Sequence, residues 1–444
     1  MKEKIVLVGA GSAVFTRGLV ADLIRTGWEV ELGLVDVDPV ALSVAEGLAT
    51  KMIQARQAPM SVTAATDRRD VLEGATAVIC TVGVGGRRAW EQDVFIPRQY
   101  GIYQPVGDSV MPGGASRALR MIPAMVEVAK DVLDLCPGAL FFNYGNPMTP
   151  VCRAVRKATG AEMVGLCHGV KGVARYLAEV LGVSERDFAY TAVGLNHLTW
   201  FIEARVRGED ALPRLREIAR ERVARAAQKG PQDADVAALN PFSFHLLLLF
   251  GAYPAVNDRH VVEFFPELLP GGRYYGKTLG VDCFSVEATI AAGDRTYQEM
   301  QRDATSPEPL GQEYFERIGG EHEQVIEIID SIRRDLGRVY SANLPNRGQV
   351  PNLPPEAVLE SPAIADGGGM KAIAQRPLPS GIAGTIAQRL AWVETVVEAA
   401  LEGSRQKFVQ ALVLDGSVPS LETAEKLADA LLAAQANYLP QFAR

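Results

Sequence analysis

Over roughly its first two hundred residues the chain alternates short apolar runs with stretches of helical periodicity. Residues 5–8 are wholly apolar, the mark of a strand buried on both faces. Gly9, Gly11 and Ser12 follow as a turn, and Leu19, Leu23 and Ile24 then recur at helical spacing up to a stop at Gly27. Residues 31–35 predict a second strand, 40–56 a second helix, and 61–64 and 77–82 two further strands with a short polar helix between them. Residues 83–88 are a glycine-rich loop. Residues 107–117, which hold Pro112 and the pair Gly113-Gly114, predict another shaped loop rather than a helix. Strands at 139–144 and 163–166, a turn at Gly145-Asn146-Pro147, a helix over 171–181 and a strand through 191–197 continue the series. This alternation predicts an α/β fold built on a doubly wound parallel sheet.

Beyond residue 200 the rhythm changes. Residues 209–228 read as a strongly charged surface helix and 240–250 as a more apolar one. Asn257-Asp258-Arg259-His260 sets an amide, an acid, a guanidinium and an imidazole side by side between apolar runs. Residues 347–379, rich in proline and glycine, read as a long irregular connection, and 382–414 and 421–439 as closing helices.

Composition narrows the function. The chain has 444 residues and 48% hydrophobic content, enough for a large core in two domains or one composite unit. A net charge of -8 argues against nucleic acid or an anionic membrane surface as partner. No apolar run reaches the ~18 residues of a membrane-spanning helix. The N-terminus leads directly into a strand with no signal-like apolar segment. Five scattered cysteines fit reduced thiols in a cytoplasm better than a disulfide framework. A cytoplasmic protein is therefore expected.

Strand, glycine turn and helix in succession are the context of a dinucleotide-binding loop. Gly9 and Gly11 allow the tight turn and close approach to a pyrophosphate, although Val14 stands where the motif has its third glycine. Asp36, at the end of the second strand, is placed to accept the ribose hydroxyls of NAD, while Asp38-Pro39 reads as a helix cap. Val82 closes the fourth strand on the cofactor side. Arg87 and Arg88 follow, as loop charges or as partners for an anion. Asp108, Arg117 and Asn146 lie on later strand-end segments. Cys167-His168 and Gly194-Leu-Asn196-His197 then bring a thiol, two imidazoles and an amide to the ends of two apolar runs.

These segments, in this order, resemble glycoside hydrolase family 4, and the likeness runs over nearly the whole chain: Gly9-x-Gly11-Ser12, Asp36, Asp108 with Pro112-Gly-Gly and Arg117, Gly145-Asn-Pro147, Cys167-His168, Asn196-His197, Asp258-Arg-His260 and Asn352-Leu-Pro354. The resemblance implies a Rossmann-type NAD-binding domain over residues 1–195. It implies a catalytic and oligomerisation domain like that of lactate and malate dehydrogenases over 196–444, and a homodimer or homotetramer. It also implies NAD⁺ and a divalent metal, usually Mn²⁺, acting on a sugar glycoside through transient oxidation at C3, loss of the C2 proton and elimination of the aglycone. By the same likeness Cys167 and His197 are the metal ligands, and Asp258, His168 and Asp108 the catalytic groups. Asn146, Arg117, Asn196, Arg259 and His260 contact the sugar, and Gly9, Gly11, Ser12, Asp36 and Val82 the cofactor. Thiolate is an unusual donor for Mn²⁺. The Cys167-His168-Gly169-Val170 form points to non-phosphorylated α-glycosides with a lean to α-glucuronides, and otherwise to α-glucosides, α-galactosides or α-galacturonides; a C6 carboxylate would want an arginine, and whether Arg87, Arg88, Arg259 or none of them reaches it stays open. The competing readings are an NAD-dependent 2-hydroxy-acid dehydrogenase and a cofactor-bound protein without turnover.

Overall fold

The computed structural model describes residues 1–228, 234–318 and 323–443. Its N-terminal part runs β1 (Lys2–Val8), α1 (Thr16–Thr26), β2 (Glu29–Val35), α2 (Pro39–Arg56), β3 (Met60–Ala65), α3 (Arg69–Leu72), β4 (Ala77–Cys80), α4 (Gly86–Gln99), α5 (Met111–Leu135), β5 (Leu140–Asn143), α6 (Met148–Thr159), β6 (Met163–Gly165) and α7 (Gly169–Leu181). The six strands pair in parallel in the order β3-β2-β1-β4-β5-β6. This is the doubly wound dinucleotide-binding arrangement, whose ligand crevice opens beyond the carboxyl ends of β1 and β4, where strand order reverses.

Strand periodicity explains how the sheet is held. On β1, Val6 and Val8 enter the core shared with α5 and α6, whereas Ile5 and Leu7 enter the opposite core with α1 and α2. Each such side chain, fully withdrawn from water, contributes roughly 1.5–3 kcal/mol.

The chain continues through β7 (Phe188–Leu195), β8 (Leu198–Val206), β9 (Glu209–Asp210), α8 (Leu212–Gln228), α9 (Pro241–Phe250), β10 (Tyr253–Ala255) and α10 (Asn257–Val261). A small ribbon of β11 (Arg273–Tyr274) and β12 (Lys277–Thr278) precedes α11 (Val286–Thr305), α12 (Gln312–Arg317) and α13 (Glu323–Arg333). Strands β13 (Arg338–Pro345), β14 (Val358–Asp366) and β15 (Gly369–Ala372) and helices α14 (Ser380–Glu402), α15 (Arg405–Asp415) and α16 (Leu421–Ala434) follow. Strands β13, β14, β7, β8 and β10 extend the parallel sheet beyond β6, and β15 on β14 with β9 on β8 bring the sheet to thirteen strands. Isoleucines 326, 328, 329 and 332 of α13 complete the core over Ile5 and Leu7, and α14 lies on α5 and α6. The expected division at residue 195 thus falls in the β7–β8 hairpin, and chain from both sides of it shares one sheet and both helical layers.

Three expectations are corrected. The segment 107–117 is not all loop, because α5 begins at Met111, with Pro112 in its first turn. The two glycines that suggested a loop are there for close packing: a Cβ on Gly113 would lie 2.5 Å from Gln104 Nε2, and one on Gly114 2.5 Å from the Ser109 carbonyl carbon. The supposed irregular connection 347–379 contains β14 and β15, hidden by Pro354, Pro355 and Pro362 and by Gly367 and Gly368, which form the turn between them, with Gly369 opening β15. Residues 196–197 do not continue a strand. Leu195 pairs with Leu198, so Asn196 and His197 form a two-residue hairpin turn.

Candidate active site

Four segments meet beyond the carboxyl edge of the parallel strands. The first is the turn after β1. Gly9 has φ +94°, and a Cβ there would meet Val82 N at 2.8 Å, so only glycine lets β1's exit lie against the backbone leaving β4. Gly11 N donates to Asp36 Oδ2 at 2.8 Å and Asp38 N to Asp36 Oδ1 at 3.0 Å. Asp38 caps α2 through Val40 N at 2.9 Å, as its place before Pro39 suggested. Ser12 Oγ accepts from Phe15 N at 3.3 Å. Among the described residues the first turn of α1 has no side-chain cap, and Thr16 N reaches only the Ser12 carbonyl at 3.4 Å. The turn, the acid at the end of β2 and the uncapped helix fit a dinucleotide.

The second segment is the loop carrying Asp108 and Ser109. Glu263, buried, fixes it by accepting from Val106 N at 2.9 Å and Gly107 N at 2.8 Å, and burial pushes its own carboxyl up to about 8. Asp108 Oδ2 accepts from Asn146 Nδ2 at 3.0 Å, and Arg117 Nε donates to the Asn146 carbonyl at 2.9 Å. Burial raises the proton affinity of Asp108, but His197, Arg117, His260 and Asn146 outweigh it and hold the carboxyl below its ordinary value.

The third segment is the β7–β8 turn. Gly194 is required by the hairpin, since a Cβ there would lie 2.2 Å from the Leu198 carbonyl oxygen. His197 takes φ +65°, tolerable in a turn, and lies buried. Ser109 Oγ donates to Asp108 Oδ1 at 2.8 Å, so it receives its own hydrogen bond from His197 Nδ1, also 2.8 Å away. That leaves Nε2 of His197 with the free lone pair. Asn196, buried, lowers the proton affinity of both Cys167 and Glu360 by its proximity, yet its amide meets hydrogen-bond geometry with neither.

The fourth segment is α10. His260 packs edge-on against His197 with ring centroids 4.3 Å apart, and its buried Nδ1 has no hydrogen-bond partner among the described residues. Burial, then the neighbouring His197, makes His260 hard to protonate, and burial does the same to His197. Asp108, His197 and His260 bring ligand atoms within 4.8 Å of one another. Two neutral imidazoles and an ionised carboxylate are a fitting donor set for a divalent transition metal.

Cys167, the expected second ligand, stands outside this trio. Its Sγ accepts from Gly169 N at 3.3 Å, and burial, with Glu360 adding, pushes the thiol up to about 12. His168 is exposed at the start of α7. Asp258 is also placed differently from expectation. It is fully buried and accepts from Phe242 N at 2.8 Å, Ser243 N at 2.7 Å and Tyr274 OH at 2.6 Å. It serves as a remote cap for α9. Residues two apart on a helix face opposite sides, so Asp258 points away from the side His260 presents to the cluster. Arg87 Nε binds Asp294 Oδ1 at 2.5 Å, and Arg88 pairs with both Asp294 and Glu91. Ser109, Glu263 and Glu360 escaped the sequence reading. Ser109 and Glu263 each lie within three residues of a named candidate, but Glu360 lay hidden in the supposed connection.

A doubly wound sheet of the dinucleotide-binding type, with a carboxylate and two histidines at the mouth of its crevice, sets the chain among α/β proteins. The chain belongs to the family 4 glycosyl hydrolases: the family's model matches residues 4–183 and the model of its C-terminal domain residues 192–418. An α-glucosidase of Erwinia rhapontici is 33% identical over 466 residues, spanning 99% of each chain. An α-galactosidase of Rhizobium meliloti (strain 1021) is 31% identical over 459 residues, spanning 99% of this chain and 90% of its own. A 6-phospho-α-glucosidase from gut microorganisms, solved in complex with NAD and Mn²⁺, shares the fold with a TM-score of 0.85 at 21% identity, over 99% of each chain. The malate dehydrogenase of Aeropyrum pernix matches with a TM-score of 0.50 at 15% identity over 89% of this chain and 98% of its own, in keeping with the expected fold class. No described helix is long and apolar enough to cross a membrane.

Proposed function

We propose that this protein hydrolyses non-phosphorylated α-glycosides, α-glucuronides foremost, using NAD⁺ and Mn²⁺. The observation that carries the reading is the meeting of the Gly9–Asp36 nucleotide turn with Asp108, His197 and His260 at one sheet edge. Gly9, Gly11, Ser12, Asp36 and Val82 would hold the cofactor, and Asp108, His197 and His260 the metal. When bound, the cofactor supplies a reversible hydride acceptor for sugar C3 and the metal a Lewis acid for the C2 and C3 oxygens. The chain's own part is positioning and proton handling. Asn146 and Arg117 keep Asp108 ionised and oriented, and Ser109 fixes the tautomer of His197. Asn196, whose two amide atoms have no hydrogen-bond partner among the described residues, is suited to sugar hydroxyls. His168, exposed at the start of α7, exchanges a proton with the leaving group and water.

The test is a panel of p-nitrophenyl α- and β-glucosides, galactosides, glucuronides and galacturonides, each with and without NAD⁺ and Mn²⁺. Cleavage of α-anomers that needs both additions is expected, with deuterium entering at C2 in D₂O. Stoichiometric NADH from 2-hydroxy acids, with no glycoside cleaved, would instead establish the dehydrogenase alternative.

A further inference from the structure

The guanidinium groups around the crevice fall into two kinds. Arg87 and Arg88 share Asp294, and Arg88 also takes Glu91. Arg120 is locked to Asp93 in a buried pair. Arg117 binds the Asn146 carbonyl and faces the charge of Asp108. Arg259 is different. Its one hydrogen bond among the described residues runs from Nη2 to the neutral hydroxyl of Thr289 at 3.0 Å, and its Nε is buried with no acceptor. No carboxylate among the described residues pairs with it.

Arg259 is also close to the reacting groups. It directly precedes His260 on α10, whose ring packs against His197 and whose ligand atom lies within 4.8 Å of those of Asp108 and His197. A half-buried guanidinium next to a site, lacking a counter-charge, is stabilised most by an anion arriving with the ligand. Its planar fork matches a carboxylate with two parallel hydrogen bonds.

We propose that Arg259 is the specificity-determining residue of the site and receives the C6 carboxylate of a uronide substrate. This inference rests on the α-glycosidase reading above but not on the Cys167–Val170 pattern that first suggested a uronide. It assigns the choice of sugar to α10, with Thr289 on α11 holding the guanidinium in place.

The experiment compares wild type, Arg259→Gln and Arg259→Lys, each loaded with NAD⁺ and Mn²⁺, on p-nitrophenyl α-glucuronide and α-glucoside. The ratio of kcat/KM for the uronide to that for the glucoside should fall about 100-fold in Arg259→Gln, the loss expected when a desolvated charged pair is broken. In Arg259→Lys it should fall by about 10-fold, because the charge stays and the fork is lost. As a readout independent of turnover, free glucuronate should raise the Tm of wild type more than glucose does, and Arg259→Gln should abolish that difference. Equal losses on both sugars overturn the proposal, as does a wild type that cleaves the glucoside and ignores the uronide. An Arg259-dependent preference for a 6-phosphoglucoside overturns the carboxylate in favour of phosphate. If no α-glycoside is cleaved, the functional reading fails, while the glucuronate shift still decides Arg259.

Discussion

The two ends of the crevice are built in opposite ways. At the nucleotide end nearly everything comes from residues 5–38: one strand, its turn, one helix and the next strand with its terminal acid. At the sugar end the groups come from 108–109, 146, 196–197 and 259–260, and the bonds that order them run between segments far apart in the sequence. They meet because separate strand ends and helix starts of one sheet share an edge. A cofactor site can be carried by a local motif, whereas a reaction site assembled from several loops depends on the whole sheet being in register.

The most damaging way to break the sugar end is through His197, which belongs both to the ligand pair implied by the family likeness and to the trio brought together here. His197→Ala should cost on the order of 10³-fold in kcat/KM, several kcal/mol of metal-assisted stabilisation, while NAD⁺ still binds by calorimetric titration. The sharper question is which residue shares the metal with it. Titrating Mn²⁺ by electron paramagnetic resonance, His260→Ala should lose more affinity than Cys167→Ser, because imidazole suits Mn²⁺ better than thiolate and Cys167 stands outside the trio whose ligand atoms meet. The reverse order would return Cys167 to the metal and leave His260 to the sugar.

The same asymmetry decided what could be read from the sequence. The parallel strands, the glycine turn, the acid at the end of β2 and the cap at Asp38 were legible because each is a short-range pattern with a short-range cause. The residues of the sugar end were legible as a roster of polar groups at strand ends, and Asp108, Asn146, His197 and His260 do converge. Their partnerships were not. Nothing near Asp108 says that Glu263 holds its loop, and nothing near residue 360 marks β14 as the neighbour of β7 through Glu360 and Gly194. Glycine and proline misled where they serve packing: Gly113 and Gly114 sit inside α5 because neighbouring chain comes too close for a side chain.

Asp258 shows how a motif residue changes meaning once its surroundings are known. Each of its three donors would be left buried and unpaired by truncation. Asp258→Ala should therefore lower stability by about 3 kcal/mol in urea unfolding, within the usual cost of stranding buried donors. An unchanged midpoint together with a collapse of kcat, in that variant and in Asp258→Asn, would restore it to proton transfer at the sugar.

The smallest effect belongs to the residue after Cys167-His168. A Cβ on Gly169 would lie 2.2 Å from Val256 Cγ1 and 3.2 Å from Cys167 Sγ, so the glycine is required by a side chain from the β10–α10 junction. The residue type at 169 and the residue at 256 therefore form one unit, and the Cys-His-Gly pattern records how closely Val256 approaches. Gly169→Ser alone should destabilise by about 1–2 kcal/mol, as overpacking does. Val256→Ala in the same chain should recover most of that loss, because it removes the methyl that the new Cβ would strike. A double-mutant cycle read by urea unfolding measures the coupling, expected near the size of the single loss. Additive effects would mean that the overlap is relieved by movement of the backbone, and that Gly169 bears on the sugar by itself rather than through Val256.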